Sequence, residues 1–298
     1  MSIKGLHIEL TNRCYLKCPL CSRTQFLKQF KQKNWANIDL DFDKLKNFID
    51  TDITSFRVHL VGNYGDPIYH PDIFEFIKFL KSKKAIVNIG TNGSYKDKAW
   101  WEELVSIMSS EDTIGFAIDG TNTSFNEYRI NGDWESIEQG LTIVGNSKIN
   151  SVWRFIPFSF NESEIDQAQL LSKKYNIKNF KIVKSNRFDA NDKLQPKNIN
   201  LSSPQLLQRI EFRKNKQVEI TPKCLDNEQH FISSAGFYTP CCFMAEHNFY
   251  YKSHYYKNNF DYDITKNKLS TILNKEKNFF DKLLDDKPKV CQYNCPKI

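Results

Sequence analysis

The chain has 298 residues, 40% of them hydrophobic, and a formal net charge of +7 at pH 7. No apolar run approaches the roughly 20 residues that a membrane-spanning helix needs, and residues 1–5 lack the features of a secretory signal. Basic residues are spread along the chain, which predicts a lysine-rich surface rather than a nucleic-acid groove. We therefore expect a cytoplasmic protein that binds neither membranes nor nucleic acid.

Short β-rich segments alternate with helix-period segments through the first 185 residues. The predicted strands span residues 6–10, 57–61, 85–89, 114–118, 152–158 and 180–183. Between them, apolar residues recur at helical spacing, as at Ile73, Phe76, Ile77 and Leu80. Alternating strands and helices imply a parallel sheet with right-handed crossovers, and six such units fall short of the eight in a closed barrel. The predicted fold class is α/β, a partial (β/α)6 TIM-like barrel.

The alternating pattern stops near residue 185, which predicts a different organisation for the rest of the chain. We divide the sequence into a barrel core over 1–185, a linker and helix over 186–217, and a small C-terminal extension over 218–298. The extension carries a strand-like segment at 218–220 and a hairpin-like segment around Gly236. A final amphipathic helix places apolar residues on one face: Leu269, Ile272, Leu273, Phe280, Leu283 and Leu284.

The eight cysteines fall into two groups, three between residues 14 and 21 and five between residues 224 and 295. In a reducing compartment, cysteines are more often metal ligands or catalytic groups than disulfides. Cys14, Cys18 and Cys21 follow the first predicted strand with the spacing C-x3-C-x2-C. Three thiolates this close can bind three irons of a cubane cluster and leave the fourth iron open. A zinc site and a packing role are the alternatives for these thiols.

Residues 7–21 resemble the signature of the radical S-adenosylmethionine (radical SAM) superfamily, in which C-x3-C-x2-C follows the first barrel strand. Leu20 stands where an aromatic residue is common in that family, which changes a packing contact but removes no ligand. The resemblance implies that Cys14, Cys18 and Cys21 hold a 4Fe–4S cluster whose open iron binds S-adenosylmethionine.

The ends of the next predicted strands carry further segments of this resemblance. Because parallel strands end on one face of a barrel, we expect these segments to lie beside the cysteine loop. Residues 64–67 resemble a Gly-Gly-Glu-Pro motif that holds the amino group of S-adenosylmethionine, with Tyr64 and Asp66 replacing glycine and glutamate. The resemblance thus assigns cofactor binding to four residues here: Tyr64, Gly65, Asp66 and Pro67. An ordinary strand-to-helix turn is the alternative.

Three more residues complete the implied cofactor site. Asn92 belongs to a third-strand ending that is common in the family, and Asp119 to a fourth-strand ending in which Ala117 replaces a serine. Arg129 matches an arginine that pairs with the cofactor carboxylate, for which a guanidinium is well shaped. A surface ion pair is the alternative for Arg129.

The second cysteine group resembles the twitch and SPASM extensions of radical SAM enzymes. Cys224, Gly236 and Cys241 follow the pattern C-x11-G-x4-C, in which glycine suits the turn of a hairpin. Five cysteines fit the shorter twitch form, which has one auxiliary cluster. The resemblance implies four ligands for an auxiliary 4Fe–4S cluster, with Cys242 as a possible substitute: Cys224, Cys241, Cys291 and Cys295. A zinc site is the main alternative.

The resemblance implies an enzyme that reductively cleaves S-adenosylmethionine to a 5′-deoxyadenosyl radical, which abstracts hydrogen from a substrate. An auxiliary cluster favours an oxidoreductase-like modification of a peptide or small polar molecule, with flavodoxin or ferredoxin as electron donor. Arg154, on the fifth predicted strand, is the candidate substrate-facing residue or, equally, a buried ion-pair partner. The alternatives are a non-oxidative radical enzyme (an epimerase, a cross-linking enzyme or a cofactor-biosynthesis enzyme) and a non-catalytic zinc or iron–sulfur protein.

Overall fold

An open, mainly parallel sheet organises the computed structural model, which describes residues 4–32, 36–185, 187–188, 192–203, 219–222, 224–225 and 229–297. The strands are β1 (Gly5–Ile8), β2 (Arg57–Leu60), β3 (Ile86–Thr91), β4 (Thr113–Ala117), β5 (Asn150–Phe155), β6 (Asn179–Ile182), β7 (Gln229–Ile232) and β8 (Tyr238–Thr239). Their spatial order is β6-β5-β4-β3-β2-β1-β7-β8, and only β7 and β8 pair antiparallel. The sheet does not close, which confirms the predicted α/β partial barrel.

Helices fill the crossovers between the first six strands and dominate the C-terminal region. The helices are α1 (Ser22–Gln29), α2 (Phe42–Phe48), α3 (Ile73–Ser82), α4 (Lys98–Ile107), α5 (Phe125–Tyr128), α6 (Trp134–Gly145), α7 (Ile165–Lys174), α8 (His247–Tyr250), α9 (His254–Lys257), α10 (Leu269–Asp286) and α11 (Lys289–Asn294). The helical stripe at residues 73–80 is buried on α3, as its spacing predicts. Among the described residues, no helix is both long enough and apolar enough to span a membrane.

Side chains alternate between the two faces of the sheet, because successive residues of a strand point in opposite directions. Leu6 and Ile8 of β1 are fully buried in the main hydrophobic core. In β5, Trp153 and Phe155 are likewise fully buried in that core, and Arg154 between them points to the opposite face. That opposite face carries polar side chains, so it is where chemistry can be placed.

The C-terminal region adds two strands to the barrel sheet. Strand β7 pairs parallel with β1, Gly5 being opposite Gln229, and Gly236 turns the β7–β8 hairpin with φ +78°. The hairpin was predicted, but the pairing of β7 with β1 was not, because partners more than 200 residues apart leave no local pattern. In the predicted strand at 218–220, Ile220 bridges to Pro296, and Val218 lies outside the described residues. Most of the predicted linker at 186–217 also lies outside them.

Candidate functional site

The loop with the first three cysteines joins β1 to α1 and packs in its own apolar cluster. Cys18 is only 6% exposed and contacts a cluster that includes Leu16, Tyr128 and Phe158. Burial, followed by the nearby Asp66 carboxylate, raises the pKa of Cys14 to about 12. Such a thiol stays protonated at neutral pH, so it becomes a thiolate only when a metal displaces its proton. The loop therefore provides sheltered thiols that suit a metal centre better than free nucleophiles.

Arg23, in the first turn of α1, holds this loop in shape. Its guanidinium is buried and donates to the carbonyl oxygens of Cys14 and Leu16. A second contact, from the Cys21 amide to the Cys18 carbonyl at 3.1 Å, closes the turn before α1. Sequence reasoning missed Arg23, because an arginine at a helix start is an ordinary surface residue unless its burial is known.

The segment after β2 lies directly against the cysteine loop. A Cβ atom on Gly65 would stand 2.0 Å from the Thr11 carbonyl oxygen, so only glycine fits at this crossing. The Asp66 amide then donates to the Arg13 carbonyl at 2.8 Å, and Pro67 begins a turn of 3₁₀ helix at Pro67–Tyr69. The structure thus brings Gly65, Asp66 and Pro67 beside the cysteines, as the strand-end argument predicts.

The Asp66 carboxylate joins the ends of two strands. Its Oδ2 atom accepts from Thr91 Oγ1 at 3.1 Å and from the Asn92 backbone and side-chain nitrogens, each at 2.6 Å. Asn92 Nδ2 also lies 3.7 Å from Cys14 Sγ. Burial raises the pKa of Asp66 to about 6, and the hydrogen bonds oppose that shift. Asp66 therefore orients Asn92 against Cys14 and is itself engaged within the protein.

Asp119 and Arg129 form a buried ion pair beside Cys18. Arg129 donates through Nε and Nη2 to Asp119 Oδ2, each at 2.7 Å, and Asp119 Oδ1 accepts from the Ile156 amide at 2.8 Å. Burial raises the pKa of Cys18, whereas the positive charge of Arg129 lowers it. Because Asp119 is fully buried, this pair differs from the surface ion pair considered above.

Tyr64 links the barrel to the extension. Its hydroxyl accepts from the His247 amide at 2.7 Å and lies 3.2 Å from His247 Nδ1. The neighbouring Asn63 donates through Nδ2 to the Cys242 carbonyl at 2.7 Å. The Tyr64 side chain thus points toward the extension, while the backbone of the same segment lies beside the cysteine loop.

Glu9, just beyond β1, fixes the segment after β2 and was missed by sequence reasoning. It is 2% exposed, and its Oε1 atom accepts from the amides of Tyr64 at 2.7 Å and Gly65 at 3.3 Å. Burial raises the pKa of Glu9 to about 7, against the opposing effect of these amides. An isolated glutamate after a strand gives no sequence signal for such a role.

Replacing Glu9 with glutamine should remove a pH dependence of stability. The folded protein binds the Glu9 proton more tightly than the unfolded chain, whose pKa is near 4.5, so folding favours the protonated form. As pH rises from about 4.5 to about 7, the wild type should lose about 3 kcal/mol relative to Glu9→Gln. Chemical denaturation across this range measures the difference. A pH-independent difference, like that expected for the exposed control Glu103→Gln, would contradict the assignment.

The second cysteine group surrounds a single cavity of about 220 Å³. All five of its thiols line this cavity: Cys224, Cys241, Cys242, Cys291 and Cys295. The hydrogen bond from the Cys295 amide to the Cys291 carbonyl, at 2.7 Å, sets these two residues one helical turn apart. Burial and the neighbouring Cys242, Cys224 and Cys291 raise the pKa of Cys241. The structure therefore brings together residues that are up to 71 positions apart in sequence.

Arg154 lies over the glycines of two neighbouring strands. A Cβ atom on Gly115 would stand 2.9 Å from Arg154 Cζ, and one on Gly90 would stand 3.4 Å from Nη1. Among the described residues, no carboxylate forms an ion pair with Arg154. The ion-pair alternative for this residue therefore has no partner within the described part of the chain.

Parts of this sequence match a known protein family and two characterised proteins. The model of the Radical SAM superfamily matches residues 8–172. The chain is 28% identical over 129 residues to the tungsten-containing aldehyde ferredoxin oxidoreductase cofactor-modifying protein of Pyrococcus furiosus, covering 42% of this chain and 33% of that one. It is 31% identical over 103 residues to the PqqA peptide cyclase of Granulibacter bethesdensis, covering 34% and 25%. The chain thus spans about a third or less of the length of these relatives.

Solved structures share the fold over nearly the whole chain. anSMEcpe with bound AdoMet aligns with a TM-score of 0.61 at 14% identity, covering 98% of this chain and 88% of that one. BtrN in complex with AdoMet and 2-DOIA aligns with a TM-score of 0.52 at 14% identity, covering 100% and 94%. Streptococcus suis SuiB bound to S-adenosylmethionine gives 0.56 at 14%, covering 92% and 75%. At these identities the likeness shows the fold alone.

Proposed function

Because this chain belongs to the radical SAM superfamily, we propose that it is an enzyme that reductively cleaves S-adenosylmethionine and abstracts hydrogen from a substrate. The observation that carries the proposal is the cysteine loop, packed against the ends of β2 and β3. Membership of the family implies a 4Fe–4S cluster and S-adenosylmethionine, and we assign Cys14, Cys18 and Cys21 as the cluster ligands.

The residues around the loop fit such a cluster. Three thiols without a nearby fourth cysteine match a cluster with one open iron. The Asn92 amide donates toward Cys14 Sγ, and Arg129 stands beside Cys18, so both thiolates would be stabilised by donors. When bound, the cluster and S-adenosylmethionine supply the 5′-deoxyadenosyl radical. The protein holds the thiolates, orients the cofactor and excludes water around them.

Each cofactor-binding residue has a distinct task in this proposal. The backbone at Tyr64 and Gly65 would receive the cofactor's amino group, since Glu9 and the cysteine loop fix its position. Asp66 holds that segment to Asn92 and acts as a positioning residue. Arg129 would bind the cofactor carboxylate, because a guanidinium has five donors and Asp119 engages only Nε and Nη2.

We further propose that the extension holds an auxiliary 4Fe–4S cluster with Cys224, Cys241, Cys291 and Cys295 as ligands, and Cys242 as a possible substitute. The shared cavity supports this set. A cubane takes one thiolate per iron, so its ligands surround a cavity.

An auxiliary cluster makes an oxidative reaction the leading proposal. Held by these cysteines, an auxiliary cluster would supply the acceptor for the second electron that a net oxidation removes from the substrate after hydrogen abstraction, with a proton lost to solvent. The substrate is a peptide or a small polar molecule; relatives named above include a peptide cyclase, and BtrN was solved with 2-DOIA. A reducing compartment with flavodoxin or ferredoxin as donor suits this chemistry.

Nucleoside release tests the proposed function. We expect anaerobically reconstituted protein, given dithionite and S-adenosylmethionine, to form 5′-deoxyadenosine and methionine in equal amounts. Chromatography coupled to mass spectrometry measures both products. Protein that binds iron and sulfide but forms no 5′-deoxyadenosine with this reductant would contradict the assignment.

A further inference from the structure

The polar face of the sheet contains a half-buried positive charge, Arg154, that the proposed cofactor site does not use. Gly90 and Gly115 are opposite each other in β3 and β4, and together they leave the space that the Arg154 guanidinium fills. A side chain at Gly115 would collide with that guanidinium, since its Cβ would lie 2.9 Å from both Cζ and Nη1. Glycine is unfavourable within strands, so two glycines here indicate a requirement for space.

Burial lowers the pKa of Arg154, and no neighbouring carboxylate offsets that effect. Within the described part of the chain, the guanidinium donates no hydrogen bond to a protein acceptor. Partial burial without a protein partner makes the charge less favourable than in water, and an anionic ligand would supply the missing partner.

A second unpartnered polar group lies on the same face. Asn88, two residues before Gly90, is 9% exposed, and its Oδ1 atom has no hydrogen-bond partner among the described residues. Its Nδ2 atom lies 3.5 Å from His59 Nε2 on the neighbouring strand. An amide oxygen without a partner, on the same face of the sheet as an unpaired guanidinium, indicates a polar ligand rather than an apolar one.

The charges facing this region favour an anion. Burial, followed by the charges of Arg154 and Arg57, lowers the pKa of His59 to about 4, so this ring is neutral. Lys181 is opposite Arg154 in the next strand and adds a second cation at the sheet edge. Glu9 also lies on this side of the sheet, but it is engaged by the amides of Tyr64 and Gly65.

We propose that Arg154, whose guanidinium packs over Gly90 and Gly115, binds an oxyanion of the substrate, either a carboxylate or a phosphate. The inference rests on the proposed function and narrows its substrate class from polar to anionic. Asn92, which approaches Cys14, lies two residues beyond Gly90, directly after β3 ends at Thr91. A substrate held by Arg154 would therefore sit below the proposed cofactor, with the part to be oxidised directed toward it.

Anion binding by the reconstituted protein, saturated with S-adenosylmethionine, tests this inference. The probes are succinate, inorganic phosphate and the neutral isostere succinamide, each titrated by calorimetry at constant ionic strength. We expect succinate or phosphate to bind and succinamide not to bind, and Arg154→Met to weaken binding about 10- to 100-fold. Preference between the two anions identifies the oxyanion. The exposed Lys44→Met variant on α2 controls for net charge and should bind like the wild type.

Stability separates this role from a structural one. Without an added anion, Arg154→Met should unfold at the same temperature as the wild type or higher, because the variant no longer places an unpaired charge in a half-buried position. A lower unfolding temperature would indicate a structural partner and overturn the inference. Equal anion affinity in wild type and variant would overturn it too, as would loss of anion binding when S-adenosylmethionine is added. These titrations need no reductant, so their failure is distinct from failure to form 5′-deoxyadenosine.

Discussion

Replacing Cys18 with alanine is expected to reduce 5′-deoxyadenosine formation to the level of the enzyme-free reaction. Two thiolates cannot retain a cluster that three hold, so the variant should lose about four irons per chain. The fold should persist, because the change removes one small buried group at a cost of about 1 kcal/mol. Iron and sulfide analysis, circular dichroism and nucleoside assay measure the three effects together.

Tyr15→Phe provides the matched control within the same loop. Tyr15 is 61% exposed, and the substitution keeps its ring contacts with Tyr69 and Tyr95 while removing only the hydroxyl. This variant should retain its iron and its nucleoside release. If Cys18→Ala still cleaved S-adenosylmethionine, the assignment of the first cluster to this loop would be wrong.

The second large effect is expected at the auxiliary cysteines. Cys241→Ala should lower the iron content from about eight to about four per chain, since each cubane cluster holds four irons. Nucleoside release should continue, because the first cluster is intact, but turnover of the substrate should stop. Mössbauer spectroscopy and iron and sulfide analysis distinguish a lost cluster from a damaged one.

Cys242→Ala is the control, because Cys242 lies next to Cys241 and lines the same cavity. It should keep about eight irons. The reverse result, iron lost from Cys242→Ala and kept in Cys241→Ala, would make Cys242 the ligand. Zinc in place of the second set of irons, in both variants and the wild type, would contradict an auxiliary cluster.

The sequence predicted the strand ends of the barrel well, because each strand has a local period and each end carries glycine or a polar residue. Residues 64–67, Asn92 and Asp119 lie at those ends, so the topology alone predicts their proximity to the cysteine loop. The five C-terminal cysteines were predicted to form a second group, since their clustering in sequence has no packing explanation, and all five line one cavity.

The sequence could not predict features that depend on the burial of a side chain or on the pairing of strands far apart in the chain. Glu9 and Arg23 act through backbone amides and carbonyls that become their partners only in the folded chain. The space left for Arg154 comes from Gly90 and Gly115, which are 25 residues apart and meet only through the register of β3 and β4. The pairing of β7 with β1 is a further case, because parallel partners so far apart share no turn signal.

The most direct test of the central claim is electron paramagnetic resonance of the reduced protein with and without S-adenosylmethionine. An iron held by three cysteines and open to the cofactor should change its coordination when the cofactor binds. We predict a shift in the g values of one cluster signal in the wild type, and no such signal in Cys18→Ala. An identical spectrum with and without S-adenosylmethionine, or a protein that holds zinc and no iron, would contradict the proposed site.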